Sequence, residues 1–255
     1  CKKYNEMDAV EFAAPDRIVK TCATESKPLY EQGVSWGNAA IGSIEYCKEL
    51  TASGDKLPEI TVAVVDTGIN YEHSWFENRI ADGGMSFVYP DRELPQDYNG
   101  HGTHCSGIIC SSTADNVKIL PIAVLDDGGY GFSSDIYCGM MYAVNQGVDV
   151  VSMSFGGGGE DPLLDEAAKA MSKNGILACA AAGNESDDSR NYNVANSPDV
   201  IVVSAVDSSL EAAYFTNYGP EICLAAPGVD ISSAYHIAFV FPVLVIGNKD
   251  NFAVS

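Results

Sequence analysis

The sequence predicts an α/β fold with a doubly wound, mostly parallel sheet and helices on both faces. Short apolar runs rich in β-branched residues recur along the chain, as is typical of buried parallel strands. Segments with helical spacing and helix-capping residues lie between several of these runs. Strands that alternate with helices in this way favour a parallel sheet covered on both faces. The 255 residues suit one large domain, or one domain with a short appendage.

Five apolar runs are predicted to be strands of this sheet. They begin only after residue 59. Residues 1 to about 55 lack the pattern, and we interpret them as a leading segment and a connection. The runs are ITVAVVD (60–66), KILPIAVL (118–125), VDVVSMSF (148–155), ILACAAA (176–182) and VIVVSAV (200–206).

Three segments are predicted to be helices. Residues 133–147 carry apolar side chains at a spacing of four. Residues 161–175 begin with a capping Asp161 and a first-turn Pro162 and end at Gly175. The third helix opens with small residues at GHGTHCSGIIC, which lets it approach the sheet closely.

Composition excludes some classes of function. The chain has 14 basic and 35 acidic residues, so its formal net charge is −21. Such a charge repels phosphate backbones and anionic lipids, so we expect neither a nucleic-acid nor a membrane partner. The eight cysteines include no Cys-x-x-Cys pair, which argues against a zinc ribbon. They favour an oxidising compartment with some disulfides, whose pairing the sequence does not reveal.

Polar residues follow two predicted strands, where sites gather in parallel sheets. Asp66 closes the first strand; a carboxylate there can cap a helix, bind a cation or orient a histidine. Asn184 follows another strand; its amide can donate to a developing oxyanion or simply form a turn. Taken singly, each position favours the structural role.

Two of the four histidines, His101 and His104, lie three positions apart in NGHGTHCSG. A zinc site needs a third ligand and usually a helical spacing of four, so metal binding is the weaker interpretation. His101, in the first helical turn, is placed to face the crevice at the strand ends. His104 is predicted to point into the packed interior.

The glycines of SMSFGGGG (152–159) also follow a predicted strand. A dinucleotide site would need a third glycine where Asp161 stands, and acidic residues beside a pyrophosphate are unfavourable. The exposed backbone can instead pair with an extended peptide by strand addition.

The motifs VAVVDTGI, NGHGTHCSGI, VVSMSFGG, AAAGN and AAPGVDI, in this order and spacing, resemble those of the subtilisin-like serine proteases. The resemblance covers about residues 28–235. HGTHC is similar to the branch near proteinase K, which carries a cysteine, here Cys105, just behind the base. The resemblance implies a serine endopeptidase in which Asp66 orients His101, and His101 deprotonates the attacking serine. It makes Asn184 the side-chain donor of the oxyanion hole.

The resemblance also implies two backbone edges that bind a peptide substrate as a strand between them. One edge is Ser154, Phe155 and Gly156, and the other is Gly129, Tyr130 and Gly131.

Residues 8–20 resemble the tail of an inhibitory propeptide, and residues 27–42 resemble the start of a mature enzyme. We therefore predict a propeptide tail at 1–25, an incomplete peptidase domain at 26–235 and a non-homologous tail at 236–255. Cleavage is predicted between Thr21 and Lys27.

The resemblance implies no organic cofactor. The segment CSSTADNVKIL is shorter than in relatives that bind calcium tightly there, and Trp75 lies near the position of an expected acidic ligand. We expect that site to be lost; calcium at another site stays open, with no residue assigned.

The nucleophile departs from the family pattern. The family places it in Gly-Thr-Ser-Met-Ala, opening a buried helix some way after Ala-Pro-Gly. Counting from Pro227 leads to Gly247, where the sequence is IGNKDNFAVS. Ser232 and Ser233 lie too close to Pro227, and Ser255 is the last residue. We predict a fold truncated at its C-terminus and a chain that is inactive as written, through a frameshift, retained intron or mispredicted exon.

The alternative is a non-catalytic peptide-binding member of the same fold. Expected partners are polypeptide substrates and the chain's own propeptide, and the expected state is a monomer. We expect secretion, or delivery to a vacuole or lysosome, with a signal peptide outside these residues.

Overall fold

The computed structural model describes residues 18–21, 35–54, 56–235 and 252–254. The helices are α1 (Trp36–Ala40), α2 (Ser43–Ala52), α3 (His101–Ser112), α4 (Ser133–Gln146) and α5 (Pro162–Lys173), with 3-10 turns at Ser74–Phe76 and Ser189–Asn191. The strands are β1 (Ile18–Thr21), β2 (Ile60–Asp66), β3 (Met85–Ser86), β4 (Val117–Ala123), β5 (Tyr130–Phe132), β6 (Val150–Met153), β7 (Phe155–Gly156), β8 (Leu177–Ala181), β9 (Ile201–Val206), β10 (Ile222–Pro227), β11 (Ile231–Ser233) and β12 (Phe252–Val254).

The main sheet has seven strands in the order β10-β9-β8-β6-β2-β4-β3, and all its pairs are parallel. The chain enters this sheet at the interior strand β2, continues to β3 and β4 on one side, and then crosses over to β6, β8, β9 and β10 on the other. This confirms the predicted doubly wound α/β fold. The direction of winding reverses beside β2, so the carboxyl end of β2 borders the crevice where such folds bind ligands.

Helices cover both faces of the sheet. Side chains along a strand alternate between the two faces, and on β2 the side chains of both faces are apolar. Val62 and Val64 of β2 belong to the apolar cluster beneath α3. Ala63 and Val65 belong to the larger cluster beneath α4 and α5. This alternation explains why β2 is apolar at nearly every position.

One predicted strand is divided in the structure. Residues 148–155 were expected to form a single strand, but β6 ends at Met153 and β7 begins at Phe155. Beyond Met153 the chain leaves the parallel sheet and pairs antiparallel with β1. The apolar pattern continues through the change because Phe155 is itself fully buried in the core.

The region before residue 55 also differs from its interpretation as a connection, because residues 36–52 form α1 and α2. Ser35 caps α1, and the indole N–H of Trp36 donates to the Val229 carbonyl at 2.9 Å. A Cβ on Gly37 would lie 3.0 Å from a Pro227 side-chain carbon, so α1 packs closely on the end of β10. A helix of five residues is too short to show a helical period in the sequence.

Two smaller sheets complete the described structure. One has the order β5-β1-β7 and the other pairs β11 with β12. Within the described ranges, no helix combines the length and apolar character needed to cross a bilayer. The six cysteines in these ranges are unpaired, whereas Cys1 and Cys22 lie outside them.

Candidate active site

Asp66 is the last residue of β2 and is fully buried. Its Oδ1 accepts the backbone N–H of Thr67 at 2.7 Å. The preceding apolar run places this carboxylate at the carboxyl end of an interior strand, next to the point where the winding of the sheet reverses. It caps no helix in the structure.

His101 is the first residue of α3, and its ring meets the Asp66 carboxylate. Nδ1 lies 2.8 Å from Oδ1 and 2.9 Å from Oδ2. A carboxylate only accepts hydrogen bonds, so Nδ1 carries a proton, and in the neutral form of the ring Nε2 is free to accept a hydrogen bond. The structure therefore brings together two residues that stand 35 positions apart in the sequence.

A close approach of α3 to the end of β2 makes this contact possible. A Cβ on Gly102 would lie 2.3 Å from the Gly68 carbonyl oxygen, far inside contact distance. Only glycine fits there, and the small residues that open the predicted helix serve this approach.

Charge and burial act in opposite directions on His101. Burial alone lowers the pKa of the ring, but the negative charge of Asp66, with smaller contributions from Cys105 and the hydrogen bond to Asp66, raises it well above 6.5. The carboxylate therefore stabilises the imidazolium form. A base that accepts a proton during a reaction needs such stabilisation.

His104 has a different environment on the same helix. It is buried, and its Nε2–H donates to the Ile231 carbonyl at 3.1 Å. Burial lowers the pKa of His104 to about 4, so the ring is neutral near neutral pH. The histidine pair is thus not a metal clamp, because His104 faces β11 and His101 faces Asp66.

Cys105 lies one helical turn beyond His101, and its Sγ is 3.9 Å from the His101 Nδ1. The ligand-type atoms of Asp66, His101 and Cys105 all lie within 4.8 Å of one another. The short contacts among the three side chains are the hydrogen bonds between the His101 ring and the Asp66 carboxylate. The arrangement is that of an imidazole oriented by a carboxylate, with the Cys105 thiol on the next helical turn.

Asn184 lines the same cavity as His101, a space of about 360 Å³ that also contacts Ser154. It follows β8 in a loop held by the buried amide of Asn217. The Asn217 Nδ2 donates to the Ala182 carbonyl and to Glu185 Oε2, at 3.0 and 2.8 Å. Asn217 was not predicted from the sequence, because it stands 33 positions beyond Asn184 and forms no local pattern with it.

The two predicted substrate edges flank one strand. Gly131 and Tyr130 in β5 pair with Val19 and Lys20 of β1, and Gly156 of β7 pairs with Lys20 from the other side. Both pairings are antiparallel. Gly129 lies just before β5 with φ +79, and Ser154 lies just before β7 on the cavity wall. Phe155 presents only its backbone, because its side chain is in the core.

In the described part of the chain, no serine hydroxyl is hydrogen-bonded to His101, whose ring contacts are Asp66 and Cys105. Ser152, Ser154 and Ser204 line the cavity. Ser233 donates to the His104 carbonyl at 2.6 Å and is buried away from it.

Comparisons with known proteins agree with the resemblance noted in the sequence. The model of the subtilase family matches residues 58–243. Subtilisin-like protease 2 of Pseudogymnoascus destructans is 37% identical over 237 residues, covering 89% of this chain and 56% of that protein. Subtilisin-like serine protease Rho m 2.0101 of Rhodotorula mucilaginosa is 39% identical over 222 residues, covering 80% of this chain and 64% of that protein.

Among solved structures, a cold-adapted subtilisin-like serine proteinase is similar to this chain with a TM-score of 0.65 and 34% sequence identity. The similarity covers 70% of this chain and 66% of that one. The chain therefore spans only 56% to 64% of the length of the two curated relatives above.

Proposed function

Because this chain belongs to the subtilase family, we propose that it forms the aspartate- and histidine-bearing part of a serine endopeptidase acting on polypeptides. The observation that supports this most directly is the hydrogen-bonded pair of Asp66 and His101 at the carboxyl end of an interior strand. Asn184 lines the same cavity as His101, which supports its proposed role as the oxyanion donor.

In the proposed reaction His101 Nε2 takes the proton of a serine hydroxyl as its oxygen attacks the peptide carbonyl carbon. Asp66 holds Nδ1–H and stabilises the imidazolium that results. The carbonyl oxygen gains negative charge and accepts a hydrogen bond from the Asn184 side-chain amide. His101 then returns the proton to the leaving amine, and the acyl group stays on the serine until water releases it.

We propose that the substrate lies as an extended strand between the 129–131 edge and the 154–156 edge. β1 occupies this position in the structure and pairs with both edges through its backbone. Main-chain hydrogen bonds of this kind bind many sequences with similar strength, since each peptide unit offers the same groups.

The 255-residue chain is proposed to be inactive as written. It contains no Gly-Thr-Ser, and the described serines of the cavity are not bonded to His101. Without a nucleophilic serine, His101 has no hydroxyl proton to take. The chain is therefore proposed to bind peptides without hydrolysing them.

A chimera separates these parts of the proposal. It joins residues 1–235 to the serine-bearing C-terminal segment of the Rhodotorula mucilaginosa relative. We expect the 255-residue chain to leave casein uncut and a serine-directed phosphonate unbound, and the chimera to cut casein and take up the probe. A folded chimera that does neither contradicts the role given to the Asp66–His101 pair. Hydrolysis by the 255-residue chain with a labelled serine contradicts the proposed inactivity.

A second candidate function is peptide binding without catalysis, favoured by the strand that already lies between the two edges while no described serine is bonded to His101. The same experiment decides between the two. A chimera that binds a fluorescent peptide but never takes up the phosphonate favours the binding function.

We further propose that β1 belongs to an inhibitory propeptide, with residues 1–25 as its tail, 26–235 as the peptidase domain and 236–255 as a tail outside it. The support is the position of β1 on the substrate edges. Such a propeptide suits an enzyme that is exported, in keeping with secretion or vacuolar delivery. Of the predicted propeptide tail, only residues 18–21 lie in the described ranges.

Lys20→Pro tests this placement, because Lys20 pairs with both edges and proline cannot donate a ladder hydrogen bond. We expect faster amide hydrogen exchange at residues 130–132 and 155–156, with no change in β2. Lys20→Ala is the matched control, since it keeps the backbone N–H and should resemble the unmodified chain. Equal exchange in all three proteins would contradict the placement of β1.

A further inference from the structure

Side chains from outside the helix hold the first turn of α3. Its N-cap, Gly100, has no side chain to offer, yet each of the first three backbone N–H groups donates to a side-chain oxygen. The acceptors are Asn99 Oδ1 for His101, Thr67 Oγ1 for Gly102 and Asp97 Oδ2 for Thr103, at 3.2, 2.9 and 2.9 Å. These N–H groups have no partner within a helix, so the position of their acceptors decides where the helix starts.

Asp97 is the centre of this arrangement. It is fully buried, and its carboxylate accepts five hydrogen bonds. The donors are the backbone N–H groups of Asn99, Gly100 and Thr103, all at 2.9 Å, and the hydroxyls of Thr67 and Thr103, at 3.0 and 2.6 Å. No salt bridge among the described residues includes Asp97. A buried carboxylate without a cation is stabilised by such hydrogen bonds, and the buried donors would be left without an acceptor if it were removed.

Thr67 connects this carboxylate to both members of the Asp66–His101 pair. It follows Asp66 in the chain, and its hydroxyl donates to Asp97 Oδ1. The hydroxyl oxygen of Thr67 also accepts the N–H of Gly102, the residue after His101, at 2.9 Å. The end of β2 and the start of α3 are therefore joined one residue away from each member of the pair.

We propose that Asp97 is a positioning residue, which holds His101 within hydrogen-bonding distance of Asp66 through Thr67 and the first turn of α3. Its importance for a reaction rests on the proposed function above. Asp97 itself bonds to neither member's side chain, and in the described structure it bonds only to the loop and helix groups named here.

The pKa of His101 depends on how closely the ring is held to Asp66. When the carboxylate of Asp97 is removed, the first turn of α3 loses an acceptor for several donors at once, and the ring can move away from Asp66. Burial lowers the pKa of His101 and the Asp66 contact raises it, so a weakened contact lowers the pKa.

Asp97→Asn in the 255-residue chain tests this by ¹⁵N–¹H NMR of the histidine rings. We expect the downfield Nδ1–H resonance of His101 to broaden or disappear, and its titration midpoint to fall by about one pH unit or more. The midpoint of His104 should stay where it is. Neither measurement needs a nucleophile, so an inactive chimera would contradict the proposed function without touching this inference.

Asp161→Asn is the matched control. Asp161 is also fully buried and holds the start of a helix, with its carboxylate accepting from Leu163 N–H and the Ser133 hydroxyl. The Asp161→Asn substitution should lower the free energy of unfolding without changing the Nδ1–H resonance or the titration midpoint of His101. If Asp97→Asn is folded and also leaves both signals unchanged, the inference is wrong.

A second pair of variants serves if Asp97→Asn does not fold. Thr67→Val keeps the volume but removes the hydroxyl, and Thr67→Ser keeps the hydroxyl. We expect a lower His101 midpoint in the valine variant alone. Equal midpoints in the two Thr67 variants would overturn the proposal.

Discussion

The starts of α3 and α5 are both held by a buried aspartate, but in different ways. In α5, Asp161 is the N-cap itself, Pro162 follows it, and the Asp161 side chain accepts the Leu163 N–H at 3.1 Å. In α3, the N-cap is Gly100, and the aspartate that accepts from the first turn stands three positions earlier, in a loop tied to β2. The first turn of α5 is capped by its own N-cap residue, which also accepts from Ser133 of α4, whereas the acceptors for the first turn of α3 include Thr67, 35 positions away.

The difference follows from what each helix carries. α5 only covers the sheet, so a cap within its own sequence suffices. The first residue of α3 must reach a carboxylate on another element to within hydrogen-bonding distance. A cap that is also bonded to that element fixes both parts together, and this is what the Asp97–Thr67 contact does.

The largest expected difference between the starts of α3 and α5 is in kcat, when variants of His101 and Asp161 are compared in the active chimera. His101→Ala should reduce kcat for peptide hydrolysis by about 10⁴-fold or more, because it removes the proposed acceptor of the serine proton. Asp161→Ala should cost roughly 1–2 kcal/mol in the free energy of unfolding and leave kcat nearly unchanged. Steady-state assays with circular dichroism as a folding check measure both. Near-normal turnover of a folded His101→Ala chimera would contradict the role of the base.

Asn184 sharpens the comparison, because its loop is also held by a distant residue, Asn217. Asn184→Ala in the chimera should lower kcat by roughly 10² to 10³, the effect known for such a donor in a subtilisin, with little change in KM. The amide acts on the charge of the transition state and not on the bound peptide. An effect confined to KM would show that Asn184 only binds substrate.

The smallest expected effect distinguishes the two histidines of α3. Folding lowers the pKa of His104 to about 4, so the unfolded chain binds a proton that the folded chain excludes. The free energy of unfolding should therefore fall between pH 6.5 and pH 4, by up to about 3 kcal/mol. His101 has the opposite sign: its raised pKa adds stability that is complete below pH 6.5 and is lost as the pH rises through its folded pKa.

Urea unfolding at pH 7 and pH 5 checks this assignment. His104→Gln keeps a donor for the Ile231 carbonyl but cannot titrate, so the variant should lose less stability than the unmodified chain on going to pH 5. Equal losses in the two proteins would show that His104 does not titrate differently in the folded state.

Much of the fold could be predicted because its determinants are local. The run at 60–66 coincides with β2, and the cap, proline and glycine around residues 161–175 correctly bracket α5. The break at Ser154 could not be predicted, because the apolar pattern continues while the pairing partner changes from β8 to β1. The two helices before residue 55 were missed because α1 has only five residues and α2 has a single buried residue, so neither shows a clear apolar period.

The site divides in the same way. Asp66, His101 and Asn184 could be proposed from the sequence, because each follows or opens a recognisable element and together they resemble a known family. Asp97 and Asn217 were not proposed, although Asp97 stands only four positions before His101. A polar residue in a loop is ordinary in any sequence, and only its bonding partners distinguish it.

The amino-acid order alone thus determined the alternation of strands and helices, the apolar faces and the residue types available for chemistry, since these depend on neighbours along the chain. Tertiary structure decided that Nδ1 of His101 lies 2.8 Å from Asp66, that β1 lies between the 129–131 and 154–156 segments, and that Asp97 accepts from the first turn of α3. The contact of Asp66 with His101, the pairing of β1 and the bond of Asp97 to Thr67 all join residues that stand far apart in the sequence. The distance between Asp66 and His101 in particular is set by the packing of β2 against α3 and its neighbouring loops.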